Sequence, residues 1–113
     1  DAQAHLRAAV AAHLEVAAEH RDELTLLQME RRALPPERLA EIIRRRDAYE
    51  AAFRRAIRDG VAAGELRPFD ERLGSIALLS MCNWFTQWYR ADGPLAPAEI
   101  AEAFTGLYLD GLR

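Results

Sequence analysis

Lysine is absent from this chain; all fifteen strong bases are arginine. With alanine so abundant, that usage reads as the coding bias of a GC-rich bacterial genome and carries no mechanism. A single cysteine, Cys82, excludes an internal disulfide and fits a reducing cytosol. β-Branched residues are few and period-two alternation is missing, so nothing reads as a strand. No apolar run reaches the ~18 residues that a bilayer crossing needs, and no basic-then-apolar leader opens the chain. The sequence starts at Asp1 without a methionine, which suggests a longer protein upstream. Net charge is −3, whereas gripping phosphates calls for a basic face. HExxH, CxxC, Walker, GxGxxG and GxSxG motifs are all missing, and His5, His13 and His20 are not spaced as ligands. The sequence therefore offers no catalytic constellation, no metal site and no cofactor.

What is present is helix-forming material. Ala, Leu, Glu and Arg dominate, and 113 residues with half of them apolar are enough for one domain with a real core. The pattern predicts five helices in a single all-α domain over residues 1–113. Asp1 caps the first, which runs to about Glu19 with Leu6, Val10, His13, Leu14 and Ala17 on one face. Asp22 caps a second, Glu23 to Leu34, apolar on two sides. Pro35-Pro36 ends it and starts the third. That helix continues for about 28 residues, roughly 42 Å, to Ala63, with Gly64 just past its end. Its stripe is Leu39, Ile42, Ile43, Tyr49, Phe53, Ala56, Ile57 and Val61. The fourth covers Phe69 to Arg90, and Ala91-Asp92-Gly93-Pro94 breaks it. The fifth starts at Pro97 with Ile100, Phe104, Leu107, Tyr108 and Gly111 in line. Gly106 and Gly111 weaken that helix and suit a close approach by another one.

The fourth segment carries no acid or base from Gly74 to Trp88. One arc holds Leu73, Ala77, Leu78, Met81, Cys82, Trp84, Phe85, Trp88 and Tyr89. The other holds Ser75, Ser80, Asn83, Thr86 and Gln87, with Ile76 and Leu79 between. A surface helix normally gives its outer face charge. Here both flanks need cover, one from the chain's own core and the other from a cavity or a second subunit. Two tryptophan N–H groups and the amides of Asn83 and Gln87 also need partners, as the polar groups of a mostly apolar pocket do.

Two polar residues interrupt apolar stripes. His13 reads either as a partly buried histidine bonded to a carbonyl or as a ligand contact. Arg46 lies mid-stripe on the third helix. It either snorkels or pairs with an acid such as Glu50 one turn on, or it meets a ligand's carboxylate or phosphate.

The strings ELTLLQMERRAL, RRRDAYEAAFRRAIRDGVAAGELRPFD and SIALLSMCNWFTQWYRADGPLAPAEIAEAFTGLYLDGL resemble the C-terminal effector domain of TetR-family transcriptional regulators. They are most similar to the branch that senses acyl-CoA-type and sterol-degradation metabolites. The resemblance spans essentially all 113 residues. It implies a non-enzymatic, cytoplasmic, five-helix effector domain whose last two helices form a four-helix-bundle interface in a homodimer. It also implies a hydrophobic effector, acyl-CoA or carboxylate-bearing, in a pocket under the long helix. DNA would be bound only through a helix-turn-helix domain absent from this chain, and no membrane is involved. On that basis Met29, Arg46, Tyr49, Phe53, Met81, Trp84 and Trp88 are candidates for the pocket. Ile76, Leu79, Asn83, Thr86, Phe104, Leu107 and Gly111 are candidates for the dimer interface, and Arg90 is a further polar candidate. The two arcs of the fourth helix are interchangeable at this level, because sequence leaves its rotation open. The alternative reading is a ligand-free helical dimerisation or adaptor module.

Overall fold

The computed structural model describes residues 1–111. Five α-helices account for most of it: α1 (Ala2–Glu19), α2 (Arg21–Met29), α3 (Pro36–Ala62), α4 (Glu71–Trp88) and α5 (Pro97–Gly111). No strand occurs among the described residues.

Helix α1 is the axis of the molecule, with α3, α4 and α5 packed around it. Its buried face is Leu6, Val10, His13, Leu14 and Ala17, the spacing of one helical stripe. These meet Phe53, Ala56 and Ile57 of α3, Leu78, Cys82 and Phe85 of α4, and Ile100, Ala101 and Leu109 of α5 in one continuous core. Full burial of each large side chain stabilises by about 1.5–3 kcal/mol. Helix α4, free of charge from Gly74 onward, is thus a wall of the core, and α1 is its centre.

Helix ends follow local chemistry. The Asp1 carboxylate accepts from Ala4 N at 2.7 Å and that of Asp70 from Leu73 N at 2.9 Å, each satisfying an otherwise orphan donor. Pro36 sits in the first turn of α3. Gly64 follows that helix at φ +77°, and the amides of Glu65 and Leu66 return to the Gly60 carbonyl at 2.9 and 3.1 Å.

The second segment departs from the sequence expectation. Helix α2 starts at Arg21 without a side-chain cap and stops at Met29, and a separate 3-10 turn covers Arg31–Ala33. Leu34 is extended, as the residue before a proline must be. The break swings Leu34 onto Leu27 and Ile42 in a small apolar cluster of their own. That cluster links α2 to α3, while Leu24 of α2 also packs on the main core.

Candidate functional site

Because α2 leaves α1 at His20 and runs along α4, with Leu27 and Leu34 reaching Ile42 of α3, a cavity remains between the second half of α1, α2, the first half of α3 and the later turns of α4. Its lining is His13, Val16, Ala17 and His20 of α1, Leu24, Leu27 and Gln28 of α2, Arg38, Ile42, Arg45, Arg46 and Tyr49 of α3, and Cys82, Asn83 and Thr86 of α4. The cavity measures about 40 Å³, or about 590 Å³ with its solvent-open mouth included. The enclosed part has room for a few waters. Its walls are mostly apolar, with a few polar groups converging, the usual make-up of a small-molecule site.

The polar groups differ in how they are satisfied. Arg38 donates to both carboxylate oxygens of Glu23, one at 2.7 Å, and to Glu41 at 3.0 Å. The Glu23 bond holds the guanidinium more firmly charged and the carboxyl below its ordinary range. Arg45 donates to Glu41 at 3.1 Å. Arg46 has no ion pair among the described residues. Glu50, its expected partner one turn on, accepts instead from Arg54 at 2.6 Å. The half-buried Arg46 therefore keeps an uncompensated charge on the cavity wall.

His13 is 7% exposed, and its Nδ1 has no hydrogen-bond partner among the described residues. Its ring stands edge-on to Tyr49, 4.6 Å between centroids. Burial pushes its pKa from 6.5 down to about 4, the neighbouring Asn83 side chain acts against this, and the nearby Arg46 charge adds to it. The imidazole is therefore neutral near pH 7. Burial drives the Cys82 thiol up to about 12, which removes its thiolate and with it nucleophilic chemistry. Burial also raises the Tyr49 hydroxyl, with Arg45 acting against it.

Side-chain bonds tie the α2 wall to α4. Gln28 Nε2 donates to the Asn83 carbonyl at 2.7 Å, and Gln28 Oε1 accepts from Thr86 Oγ1 at 3.1 Å and from Gln87 Nε2 at 2.5 Å. Arg21 Nε donates to the Thr86 carbonyl at 2.9 Å.

The structure sorts the residues singled out in the sequence differently from the expectation. Arg46 and Tyr49 line the cavity. Asn83 and Thr86, assigned to the dimer arc, line it as well. Phe53 lies fully buried in the core, its ring 6.4 Å from His13 but off the cavity wall. Met29 projects from the end of α2, 57% exposed, and Met81 is half-buried away from the cavity. Trp84 and Trp88 are 60% and 45% exposed on the outer face of α4. Ile76 is exposed beside them, and Leu79 packs partly on the core. Phe104 meets Trp88 at 6.1 Å between centroids, while Leu107 and Gly111 are exposed on α5. Arg90 pairs with Asp92 at 3.3 Å, outside the cavity. The cause is the rotation of α4: Gly74, Ser75, Leu78, Cys82, Phe85 and Thr86 form its inward stripe. Gly74 and Ser75 let α4 approach closely, and a Cβ on Gly74 would lie 3.1 Å from both Ile57 Cδ1 and Tyr108 Oη. The bulky indoles are thereby left outside.

Of the cavity residues not anticipated, Gln28 and Cys82 carry no sequence signal of their own. His20 and Arg38 read as ordinary polar positions, and only His13 stood out, as a histidine in an apolar stripe. Among the described residues no cluster of histidine, cysteine or carboxylates could hold a metal ion, and no helix is long and apolar enough to cross a membrane.

Comparison with known proteins adds a family context. A family model described as "Tetracyclin repressor-like, C-terminal domain" matches residues 1–112. The TetR family transcriptional regulator PfmR from Thermus thermophilus aligns over 100% of this chain at 34% identity with a TM-score of 0.84. A TetR/AcrR family regulator from Thermobifida fusca aligns over 100% at 30% identity and 0.76. A bacterial regulatory protein of the tetR family from Rhodococcus aligns over 99% at 28% and 0.78. The chain spans 62%, 60% and 59% of those three chains. No curated protein matches it.

Proposed function

Because this chain belongs to the tetracyclin repressor-like C-terminal domain family and has the all-helical fold of TetR-family regulators, we propose that it is the effector-sensing and dimerising domain of a transcriptional regulator. The DNA-binding unit would lie in a separate N-terminal part of the longer protein. The effector is a hydrophobic small molecule, carboxylate-bearing or an acyl-CoA, held in the cavity between α1, α2, α3 and α4.

One observation carries this reading. A buried, neutral histidine with an unpartnered Nδ1 and a half-buried arginine without an acid share one apolar-walled cavity. A core with no ligand gains nothing from either, since an unmet buried polar atom costs about 1–3 kcal/mol. A bound effector would satisfy both. It would also wedge between α1 and the α2–α4 wall, which Gln28 and Arg21 join. Displacing α1 or α4 is then the mechanical route by which occupancy reaches the DNA-binding unit and the dimer.

The second subunit is inferred from the outer face of α4 and α5. Leu73, Ile76, Trp84, Trp88 and Leu107 are all exposed there, and no charge breaks the α4 strip. Contiguous apolar surface of this kind marks an interface. Chain symmetry makes a twofold pairing of the same face the simplest cover.

The test is mass spectrometry of small molecules that co-purify with the protein, followed by thermal unfolding with and without each. Binding only to the folded state stabilises by about 2.7 kcal/mol at a hundredfold excess over Kd, a shift of several degrees. The reading fails if a broad metabolite screen produces no shift. A protein that dimerises yet stays indifferent to every compound would instead be a ligand-free dimerisation module, to which the small enclosed volume lends some support.

A further inference from the structure

Three arginines line the cavity and two carboxylates compensate them. Glu23 and Glu41 hold Arg38, and Glu41 also holds Arg45. Arg46 is left over, so the site has one positive charge to spare. A ligand carrying several phosphates would need several free cations. The cavity instead matches a single negative charge.

The groups beside Arg46 fit one kind of head. His13 Nδ1 is buried without a partner, and a neutral imidazole offers one N–H donor and one acceptor. Asn83 adds an amide next to His13. Two or three donors around one guanidinium are what a carboxylate accepts, since it has about four lone-pair sites. Val16, Ala17, Leu24 and Ile42 supply apolar wall for a hydrocarbon body.

We propose that Arg46, His13 and Asn83 form a subsite for one carboxylate, so that the effector is a free amphipathic monocarboxylic acid rather than its coenzyme A thioester. This rests on the reading of the cavity as an effector site and narrows it. Arg46 supplies the countercharge and a bidentate face. His13 and Asn83 orient the second oxygen, and the hydrocarbon lies toward α2. With about 40 Å³ enclosed, the chain of the acid enters by displacing α2, whose hold on α4 is polar and exchangeable.

The experiment is isothermal calorimetry with the straight-chain carboxylates from butanoate to dodecanoate, the alcohols of the same lengths and their coenzyme A thioesters. The expected result is binding of acids of a preferred length, with the matching alcohol weaker by about 10-fold to 100-fold, the range of a charge-assisted hydrogen bond. Arg46→Gln removes that preference and leaves the alcohol unchanged, Arg46→Lys keeps the charge but not the bidentate face and so retains only part of it, and Arg44→Gln, the same charge change at an exposed position, leaves it intact. Nitrogen NMR of His13 moves on adding the acid and not on adding the alcohol. Equal affinity for acid and alcohol in the native protein, which requires no variant, overturns the subsite but leaves the cavity as an effector site. Binding of thioesters alone does the same. Absence of binding across all three series overturns the subsite, and the cavity reading falls with it when the broad metabolite screen also produces no shift.

Discussion

Arg21 Nε donates to the carbonyl of Thr86 at 2.9 Å and so completes the C-terminal turn of α4 from a different helix. Helix α4 ends at Trp88, so the Thr86 carbonyl has no amide four residues on within the helix. A guanidinium is well suited to that position, because the C-terminus of a helix carries partial negative charge. The same contact anchors the start of α2, which has no side-chain cap of its own. Arg21→Met is expected to cost about 1 kcal/mol in urea unfolding, with faster amide exchange in the last turn of α4. An unchanged midpoint and unchanged exchange would show that the bond does not hold α2 in place.

His13 makes stability depend on pH. Its folded pKa of about 4 lies below the ordinary 6.5, so between those values the unfolded chain binds more protons. The contribution of His13 is then fully present above about pH 6.5 and is lost as pH falls toward 4, roughly 3 kcal/mol in all. Glu23 and Glu71, held below their ordinary range mainly by hydrogen bonds from Arg38 and Arg58, act in the same direction but at lower pH. His13→Leu should flatten the upper part of the curve and leave the lower part. Denaturation midpoints at half-unit pH steps decide it; an equal slope in the variant would contradict the buried neutral state.

Glycine positions separate packing from propensity. A Cβ at Gly60 would lie 2.7 and 2.9 Å from Leu66 Cδ1 and Cγ and 3.1 Å from Ala2 Cβ. Leu66 is buried, and its amide is bonded to the Gly60 carbonyl, so it has little freedom to retreat. Gly60→Ala should destabilise by about 1–2 kcal/mol, despite the helix-propensity gain of about 1 kcal/mol. At Gly106 the same Cβ meets nothing within 4 Å, so Gly106→Ala should stabilise the chain by up to about 1 kcal/mol. Among the described residues, nothing makes the close approach at Gly106 and Gly111 that the sequence suggested.

Trp84, a pocket candidate in the sequence, stands instead on the exposed outer face of α4. Trp84→Glu or Leu107→Glu places a charge on the exposed α4–α5 face, and burying an unpaired charge is strongly unfavourable. Light scattering during size exclusion should show dimers giving way to monomers, with the ligand-induced thermal shift retained. A variant that remains dimeric would require another interface.

Much of the fold was legible in the chain because it is set locally. The cap at Asp1, Pro36 in a first turn, Gly64 past a helix end, and the stripe Leu6, Val10, Leu14, Ala17 each depend on residues within a few positions of one another. The early stop of α2 was not legible, because it serves a contact between Leu34 and Ile42 that exists only after folding. The site shows the same division. His13 and Arg46 were conspicuous as polar residues in apolar stripes. That Arg46 lacks its acid was decided when Glu50 turned to Arg54, an equally spaced choice along one helix.

The sequence by itself determined five helices, most of their ends, and a stretch of α4 from Gly74 to Trp88 free of charge on every face. Tertiary structure alone decided how α4 is turned. Periodicity cannot rank two uncharged faces, and the choice fell to the small side chains that let α4 reach α1 and α3. That rotation put Cys82, Asn83 and Thr86 at the cavity and left Trp84 and Trp88 facing outward.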